Sequence, residues 1–546
     1  MERPGWFRRA AGERLARVTA SRRMLSLADR IDALARTRPD AHAFLCDAGA
    51  LSWREYAAHS ERFAAHLASL GLAPGERVAV LLPDGPGVHV AFVACEKAGL
   101  VVMGIGPRAG REEIRHLVAK SGAVALVSRA ASRELDLRAL FVELAASGLP
   151  LRQHIVVERQ LALDEACYSD DDPARATQPD SAELAARRLG AEDLFLLNST
   201  SGTTGLPKCV THHQARWFYF HELAVESGEL TPADVFMSVL PAPFGFGLWT
   251  AHFTPTALGA PCVLLEKFSP EDTLAAIERE RVTILAAVST QFIMLLNSPA
   301  LERTDLSSLR VLYTGGEAVP YERALEWEQR TGSLVLQFYG SNETGALSRT
   351  TTRDSQQQRL TTAGRVIDSM RVRLFDDAGH DVTASGQGIP ACRGALTCRG
   401  YYDDGAANAK LYTREGWMLT GDIARLDADG TLSVVGRTAD FIIRGGKNIS
   451  GPAIEDAVAS HSAVALAAAV AWPDAVYGER VCCYVELRAG ASLTLEQLTK
   501  HLEARGTTRE WWPERLVVLE QLPRASGGKV AKGELRADAR RRAAEA

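Results

Sequence analysis

A loop rich in hydroxyl and amide donors spans residues 199–208. Its sequence is Ser199-Thr-Ser-Gly-Thr-Thr-Gly-Leu-Pro-Lys208 and contains three threonines, two serines, two glycines and one lysine. Hydroxyl groups, backbone N–H groups beside glycine and a cation can surround phosphate oxygens at close range. The loop does not match the common pattern G-x-x-x-x-G-K-(S/T), because its lysine comes three residues after Gly205. Composition alone therefore allows two interpretations, a phosphate-binding loop or a plain Ser/Thr-rich linker.

Carboxylates and a lysine recur in short glycine-containing segments further along the chain. These segments are Thr314-Gly-Gly-Glu317, Tyr339-Gly-Ser-Asn-Glu343, Thr420-Gly-Asp-Ile423 and Pro523-Arg-Ala-Ser-Gly-Gly-Lys529. Each of these charged residues, taken alone, is typical of an exposed turn.

An apolar, aromatic segment lies between the loop and these carboxylates. Leu240-Pro-Ala-Pro-Phe-Gly-Phe-Gly-Leu248 is followed by Trp249, so that Phe244, Phe246 and Trp249 form either an aromatic pocket wall or ordinary core. No Asp or Glu lies between Leu240 and Thr250. A buried ammonium group without a carboxylate partner is very costly, so this segment argues against an α-amino acid as substrate.

Alternating helix-like and strand-like patterns must position these segments. Between residues 51 and 128, helical spacing at 53–70, 88–98 and 112–120 alternates with apolar strand-like runs, and further short strands are expected at 282–288, 309–313 and 333–337. Such alternation predicts a parallel α/β sheet. From 370 to 435, short strands with turns at 376–379 and 427–430 predict a small β-rich subdomain. We therefore expect an N-terminal domain of residues 1–437 and a small α+β C-terminal domain of residues 438–546.

Composition excludes several classes of protein. The chain has 546 residues, 62 Lys plus Arg and 67 Asp plus Glu, a balance that gives no general argument for nucleic-acid binding. The longest apolar stretch, 88–105, contains Glu96 and Lys97, so a buried helix and strand explain it better than a membrane span. Nine cysteines without a C-x-x-C pair suggest neither a disulfide framework nor a zinc site, and favour a reducing cytoplasm.

The order and spacing of these segments resemble the adenylate-forming superfamily, which includes acyl- and aryl-CoA ligases and peptide-synthetase adenylation domains. The resemblance extends from about residue 25 to 540. It implies a large N-terminal domain of parallel α/β sheets with a β-rich subdomain and a mobile C-terminal domain. It also implies that ATP, Mg²⁺ and coenzyme A take part. The residues that the resemblance places at ATP or AMP are Ser199, Thr200, Ser201, Gly202, Thr203, Thr204, Gly205, Lys208, Gly315, Gly316, Glu317, Tyr339, Gly340, Ser341, Asn342, Asp422, Arg437 and Lys529.

Within that set the resemblance implies particular roles. Lys529, Thr200 and Glu343 are the expected catalytic residues, and Glu343 is the expected Mg²⁺ ligand, which suits a metal that prefers carboxylate and phosphate oxygens. Tyr339 offers a flat face to adenine, and Asp422 accepts from the ribose hydroxyls.

The other roles concern the acid, the thiol and two departures from the family pattern. The acyl pocket is expected at Phe244, Phe246, Trp249, Gly315 and Gly340. The narrow pantetheine passage is expected at Gly445 and Gly446. Asn342 stands where the family usually has Thr, and Ala439 where the interdomain hinge usually has Asp or Lys. Asn342 still offers a donor to the α-phosphate.

These features predict an ATP-dependent ligase that converts a carboxylic acid to acyl-AMP and transfers the acyl group to coenzyme A. The resemblance is closest to ligases of benzoate-like or cyclohexanecarboxylate-like acids, on the segments Pro-Phe-Gly-Phe-Gly at 243–247, Leu265-Glu-Lys-Phe-Ser-Pro270 and Trp512-Pro-Glu-Arg515. Two alternatives stay open. One is an enzyme that loads the acid onto a carrier protein, and the other is a catalytically silent relative, which the presence of Lys529, Glu343 and Asp422 disfavours.

Overall fold

The described parts of the chain contain sheets of nine, seven and five strands, a β-rich subdomain with a further five-stranded sheet, and the helices that pack on them. The computed structural model describes residues 25–132, 135–157, 168–169, 181–200, 207–317, 319–437, 440–444, 447–525 and 528–545. The first two sheets belong to the large N-terminal domain and the third to the C-terminal domain. All structural statements below concern these residues.

The larger sheet of the N-terminal domain has nine strands in the described residues, six of which run parallel. In spatial order they are Arg365–Val366, Gly345–Arg349, Leu334–Ser341, Val311–Gly315, Ile284–Ala286, Phe236–Ser238, Cys262–Val263, His42–Cys46 and Gly49–Ser52. The first two and the last run antiparallel to their neighbours. Both Gly315 and Ser341 are the last residues of parallel strands, so the segments that follow them lie at one edge of the sheet.

The second sheet has seven described strands, five of them parallel. In spatial order they are Cys209–His213, Leu194–Ser199, Val101–Gly104, Arg77–Leu81, Ala125–Ser128, Gln153–Val157 and Tyr168–Ser169. A separate two-stranded sheet pairs Ala131–Ser132 with Leu135–Asp136. The strand that precedes the phosphate-type loop, Leu194–Ser199, pairs antiparallel with the strand that follows it.

Helices fill the space between the two sheets and cover their outer faces. Trp53–Ser69 and Pro86–Lys97 contribute to one core together with strands of both sheets. Ser52 begins the first of these helices by accepting from the backbone of Glu55, whose carboxylate accepts from Ser52 N in return. The other helices of this domain are Leu27–Thr37, Arg111–Ser121, Leu137–Ala146, Ser181–Arg187, Gln214–Gly228, Gly245–Gly247, Leu248–Phe253 (π), Thr254–Leu258, Pro270–Glu280, Ser289–Asn297, Leu301–Arg303 (3₁₀), Tyr321–Thr331, Gln356–Thr361, Thr383–Ser385 (3₁₀) and Gly405–Leu411.

The β-rich subdomain expected from 370 to 435 is present. Its strands are Met370–Phe375, Gln387–Gly394, Met418–Leu419, Asp422–Leu426 and Leu432–Arg437. Gly379 and Gly430 end its two predicted turns, each donating its N–H to the carbonyl of the Asp three residues earlier. Both glycines have φ near +84°, a conformation that other residues rarely adopt.

The C-terminal domain is built on a five-stranded sheet. Its strands are Lys447–Ser450, Phe441–Arg444, Gly478–Leu487 and Val464–Asp474 in spatial order, with Arg515–Leu519 parallel to the third. Its helices are Gly451–Ala459, Leu495–Ala504, Arg509–Trp511 (3₁₀) and Lys532–Glu545. The domain contacts the large domain through Arg323, whose guanidinium donates to the carbonyls of Ala459 and Val464.

The predicted fold class is confirmed, and the predicted helices and strands agree with the observed ones to within a few residues at their ends. The stretch 88–105 is a buried helix and a buried strand. None of the described helices is long and apolar enough to cross a membrane. The eight described cysteines are all free thiols.

Candidate active site

The two ends of the phosphate-type loop are joined by hydrogen bonds. Thr200 N donates to the carbonyl of Lys208 at 3.0 Å, and Lys208 N donates to Oγ1 of Thr200 at 3.2 Å. Residues 201–206, which carry the predicted donors Ser201, Gly202, Thr203, Thr204 and Gly205, lie outside the described residues. The two described ends are therefore held together, directly after the end of a parallel strand.

Glu343, the predicted metal ligand, is held by a turn and by a tyrosine. Oγ of Ser341 accepts from the backbone N–H groups of Glu343 and Thr344, both at 3.2 Å. The hydroxyl of Tyr401 donates to Oε1 of Glu343 at 2.8 Å, and the ammonium group of Lys208 lies 4.8 Å from the centre of the Tyr401 ring. Burial, followed by the Glu343 charge, raises the pKa of Tyr401, so this hydroxyl keeps its proton and acts as a donor. Tyr401 thus connects the phosphate loop to the carboxylate.

Tyr339 and Asp422 are brought into direct contact. The Tyr339 hydroxyl donates to Oδ2 of Asp422 at 2.7 Å, and Asp422 is 7% exposed. Asp422 lies directly opposite Arg437 on the neighbouring antiparallel strand, although the Arg437 side chain is outside the described residues. The tyrosine predicted to bind adenine therefore orients the carboxylate predicted to bind ribose.

The C-terminal lysine reaches the large domain. Nζ of Lys529 donates to the carbonyl of Gly316 at 2.6 Å. A Cβ atom at Gly316 would lie 2.9 Å from this nitrogen, and one at Gly315 would lie 2.6 Å from the carbonyl of Phe338. A Cβ atom at Gly340 would lie 1.8 Å from the carbonyl of Gly345. Gly315 and Gly340 therefore allow close approach to neighbouring backbone, and the φ of +77° at Gly316 favours glycine there.

Glu317 has a structural contact near the same segment. Its Oε1 accepts from Thr290 N at 2.9 Å, in the first turn of the helix Ser289–Asn297. A carboxylate at a helix N-terminus is favourable, because it pairs with the unsatisfied N–H groups there. The contact fixes the chain just beyond Gly316.

The aromatic segment 244–249 is divided between surface and core. Phe244 and Phe246 are partly exposed, and Phe246 stacks on Trp249 with ring centres 5.5 Å apart. Trp249 is only 4% exposed and also contacts the rings of Phe220, Tyr313 and Phe338. Trp249 supports the segment from behind, whereas Phe244 and Phe246 have accessible surface.

Asp84 holds the start of this segment. Its Oδ1 accepts from Ala242 N at 2.9 Å in a partly buried position. Burial raises the pKa of Asp84 to about 7, with the hydrogen bond and the charge of Arg108 acting in the opposite direction. Sequence reasoning missed Asp84 and Tyr401, since their partners lie 158 and 58 residues away along the chain.

Several predicted site residues lie outside the described residues. They are the loop residues 201–205, the hinge residue Ala439 and the predicted pantetheine passage Gly445 and Gly446. Three contacts join described site residues from distant segments: Lys529 with Gly316, Tyr339 with Asp422, and Glu343 with the Tyr401–Lys208 pair.

Comparisons with known proteins agree with this architecture. Residues 31–402 match the AMP-binding enzyme family, and residues 453–529 match the AMP-binding enzyme C-terminal domain. The chain belongs to the AMP-binding enzyme family. It is 32% identical to a medium-chain fatty-acid–CoA ligase of Escherichia coli K12 over 95% of this chain and 91% of that protein.

Two further similarities concern aromatic acids. The chain is 32% identical to a 2-hydroxy-7-methoxy-5-methyl-1-naphthoate–CoA ligase of Streptomyces carzinostaticus, over 94% of this chain and 93% of that protein. Its fold matches the crystal structure of the anthranilate CoA ligase AuaEII in complex with anthranoyl-AMP, with a TM-score of 0.83, 22% identity and coverage of 96% and 99%.

Proposed function

We propose that this enzyme is an AMP-forming acid–thiol ligase that activates a carboxylic acid with ATP and transfers the acyl group to coenzyme A. In the first step a carboxylate oxygen attacks the α-phosphorus, the bond to the β-phosphate oxygen breaks, and pyrophosphate leaves with the bonding electrons. In the second step the thiol sulfur attacks the acyl carbon, loses its proton, and AMP leaves. The family and the acid–CoA ligase relatives support this proposal.

The observation that carries the proposal is the contact of Lys529 with Gly316. Adenylation brings two anionic groups together, so a cation must be in place where charge develops. The 2.6 Å contact puts a C-terminal ammonium group at the segment that the family resemblance assigns to nucleotide and acyl group. This placement suits the adenylation step and leaves the C-terminal domain, which we propose to be residues 438–546, to rotate for the thiol step.

The donor set around Glu343 suits a magnesium ion that arrives with ATP. No group of three or more His, Cys, Asp or Glu that could hold a metal by itself occurs among the described residues. Mg²⁺ at phosphoryl-transfer sites is held by one or two carboxylates together with substrate phosphates. Glu343 would supply the carboxylate, and Tyr401 fixes the direction of that carboxylate. The bound metal would neutralise phosphate charge.

We further propose that the acid is ring-shaped and short. The partly exposed rings of Phe244 and Phe246 offer area for offset stacking, worth about 0.5–1.5 kcal/mol per pair. Trp249 packs against the rings of Phe220, Tyr313 and Phe338 behind this segment, and this packing favours a short acid over a long alkyl chain. The relative named for a naphthoate supports a ring acid, whereas the one named for medium-chain fatty acids makes octanoate the competitor to test.

Variants that separate the two half-reactions test this function. Lys529→Ala should reduce acyl-adenylate formation by orders of magnitude, because the developing charge loses its partner. Thioester formation from synthetic acyl-adenylate and coenzyme A should be nearly unchanged. Lys500→Ala is the matched control, because Lys500 is an exposed lysine of the same domain whose ammonium group pairs with Glu496.

Two outcomes would overturn the assignment. Equal loss in both half-reactions would exclude a role of Lys529 limited to adenylation. AMP release that requires a carrier protein instead of free coenzyme A would favour the carrier-loading alternative.

A further inference from the structure

A closed set of hydrogen bonds lies beneath the predicted phosphate and acyl segments. Arg216 Nη1 contacts Nδ1 of His212 at 3.2 Å, and His212 Nε2 contacts Oδ1 of Asn198 at 2.8 Å. Nδ2 of Asn198 donates to Oδ1 of Asn342 at 3.3 Å, and Nη2 of Arg216 donates to the carbonyl of Asn342 at 3.0 Å. We call these four residues the Arg216 ring. It returns to its starting point through Asn342.

Three of the four residues of the Arg216 ring are almost inaccessible to water, and Asn342 is partly exposed. Asn198 and His212 are 0% exposed and Arg216 is 3% exposed. Burial lowers the pKa of Arg216, and the charge of Glu343 acts in the opposite direction. Both hydrogen-bond acceptors of this guanidinium in the described residues are neutral. A buried cation held by neutral acceptors is costly, so a role beyond packing is worth testing.

The arginine fixes the direction of every donor in the ring. A guanidinium can only donate, so Nδ1 of His212 must accept and Nε2 must carry the hydrogen. Nε2–H then donates to Oδ1 of Asn198, which turns the Nδ2 group of Asn198 towards Oδ1 of Asn342. Burial and the neighbouring Arg216 charge lower the pKa of His212, so the imidazole stays neutral. One orientation is therefore consistent around the whole ring.

That orientation decides which end of the Asn342 amide faces the phosphate loop. Oδ1 of Asn342 accepts from Asn198 and from Gly245 N, the latter at 3.1 Å. Its Nδ2 group lies on the other side, 3.5 Å from the carbonyl of Ser199, directly before Thr200. A flipped amide would present an oxygen to phosphate oxygens and repel them.

The ring also joins segments that are distant in sequence. Asn198 Nδ2 donates to the carbonyl of Pro243 at 3.0 Å. A Cβ atom at Gly245 would lie 2.3 Å from Oδ1 of Asn342, so only glycine permits this approach. The Arg216 ring thus connects three parts of the chain. They are the end of the strand Leu194–Ser199, the start of the aromatic segment at Pro243 and Gly245, and the segment before Glu343.

We propose that Arg216 is a positioning residue for adenylation that acts through His212 and Asn198 to hold the Asn342 amide as a donor towards the α-phosphate. The inference rests on the proposed adenylation function, but the orientation of the Asn342 amide can be measured in the protein without substrate. The proposal explains how Asn342 can donate at this position: its Oδ1 accepts from Asn198 and Gly245, so that its Nδ2 group points the other way.

A double-mutant cycle tests whether Arg216 acts through Asn342. Loss of one correctly placed donor to developing charge costs about 100- to 1,000-fold in kcat. We expect such a loss of adenylation kcat in Asn342→Ala, a loss approaching it in Arg216→Met, and no further loss in the double variant. Multiplied losses in the double variant, or a wild-type kcat in Arg216→Met, would overturn the proposal.

A second pair of variants covers the case in which Arg216→Met does not fold. His212→Gln keeps one acceptor and one donor and should retain adenylation to within about tenfold, whereas His212→Leu breaks the ring and should lose about 100-fold, the loss of one oriented donor. Equal activity of the two would contradict the proposal. Arg359→Met is the control for general damage, because Arg359 is 5% exposed and paired with Glu328 outside the ring, so it should lower stability without lowering the kcat of the folded protein.

A measurement without turnover separates this inference from the proposed function. Nitrogen chemical shifts of His212, assigned by comparison with His212→Gln, should show a neutral imidazole with hydrogen on Nε2. The tautomer population should change in Arg216→Met, which removes the donor to Nδ1. Hydrogen on Nδ1 in the wild-type protein would overturn the inference even in an active enzyme. The expected shifts in a protein that releases no pyrophosphate with any acid would overturn the proposed function alone.

Discussion

The contact between Tyr339 and Asp422 permits a quantitative test of the predicted ribose site. One oxygen of Asp422 accepts from the Tyr339 hydroxyl at 2.7 Å, so the carboxylate is oriented before nucleotide binds. A hydrogen bond to a charged group contributes about 1.5–3 kcal/mol. At about 1.4 kcal/mol per tenfold, Asp422→Ala should therefore raise the KM for ATP by about 10- to 150-fold. Tyr339→Phe loses only the orienting bond and should raise it by about 2- to 10-fold, from about 0.5–1.5 kcal/mol.

The assay is pyrophosphate release at saturating acid and varied MgATP for the two single variants and the double variant. Because the Tyr339 hydroxyl acts through the carboxylate, the double variant should resemble Asp422→Ala. The KM for the acid should change little in all three. A KM for ATP within twofold of wild type in Asp422→Ala would refute the ribose assignment, and independent effects of the two substitutions would refute their coupling.

Three further predictions concern the metal, the acid and the pH dependence of stability. Tyr401→Phe removes the orienting bond to Glu343, so the Mg²⁺ concentration for half-maximal adenylation should rise about 10- to 100-fold, and an unchanged Mg²⁺ titration would contradict this. Phe244→Ala should widen the acyl pocket and shift kcat/KM from ring acids towards longer chains by at least about tenfold, so an unchanged preference would place the acid elsewhere. Burial raises the pKa of Asp84 from 3.8 to about 7, so the folded protein binds a proton that the unfolded chain releases, and stability should fall as the pH rises from about 4 to 7. Asp84→Asn keeps an acceptor for Ala242 N. It should raise the free energy of unfolding by up to about 4 kcal/mol at pH 8 and by little at pH 4. An equal effect at pH 8 and pH 4 in urea unfolding would exclude this pKa.

The sequence predicted the scaffold well because the scaffold is periodic. The helical spacing at 53–70 corresponds to the helix Trp53–Ser69, and the apolar run at 309–313 to the strand Val311–Gly315. Parallel strands bring their carboxyl ends to one edge of the sheet. The proximity of the segments after Gly315 and Ser341 can therefore be predicted without knowing any side-chain contact.

The contacts that organise the site were beyond sequence reasoning because they join distant segments. Arg216 contacts a carbonyl 126 residues away, and Tyr401 a carboxylate 58 residues away. Arg216 does not belong to a glycine-containing segment like those of Glu343 and Lys529. Tyr401 follows Gly400 directly, but a tyrosine there does not by itself indicate a metal or phosphate site. The available signal was Arg216 directly before the aromatic run 217–220, since an arginine is rarely buried without a partner.

The acid preference of the wild-type protein tests the central claim most directly. Benzoate, cyclohexanecarboxylate, octanoate, palmitate and acetate would each be supplied with MgATP and coenzyme A, and AMP, pyrophosphate and acyl-CoA would be quantified. The proposed function predicts equal amounts of the three products, and a kcat/KM for the ring acids at least about tenfold above those for palmitate and acetate. Release of ADP and phosphate, or a preference for palmitate, would contradict it.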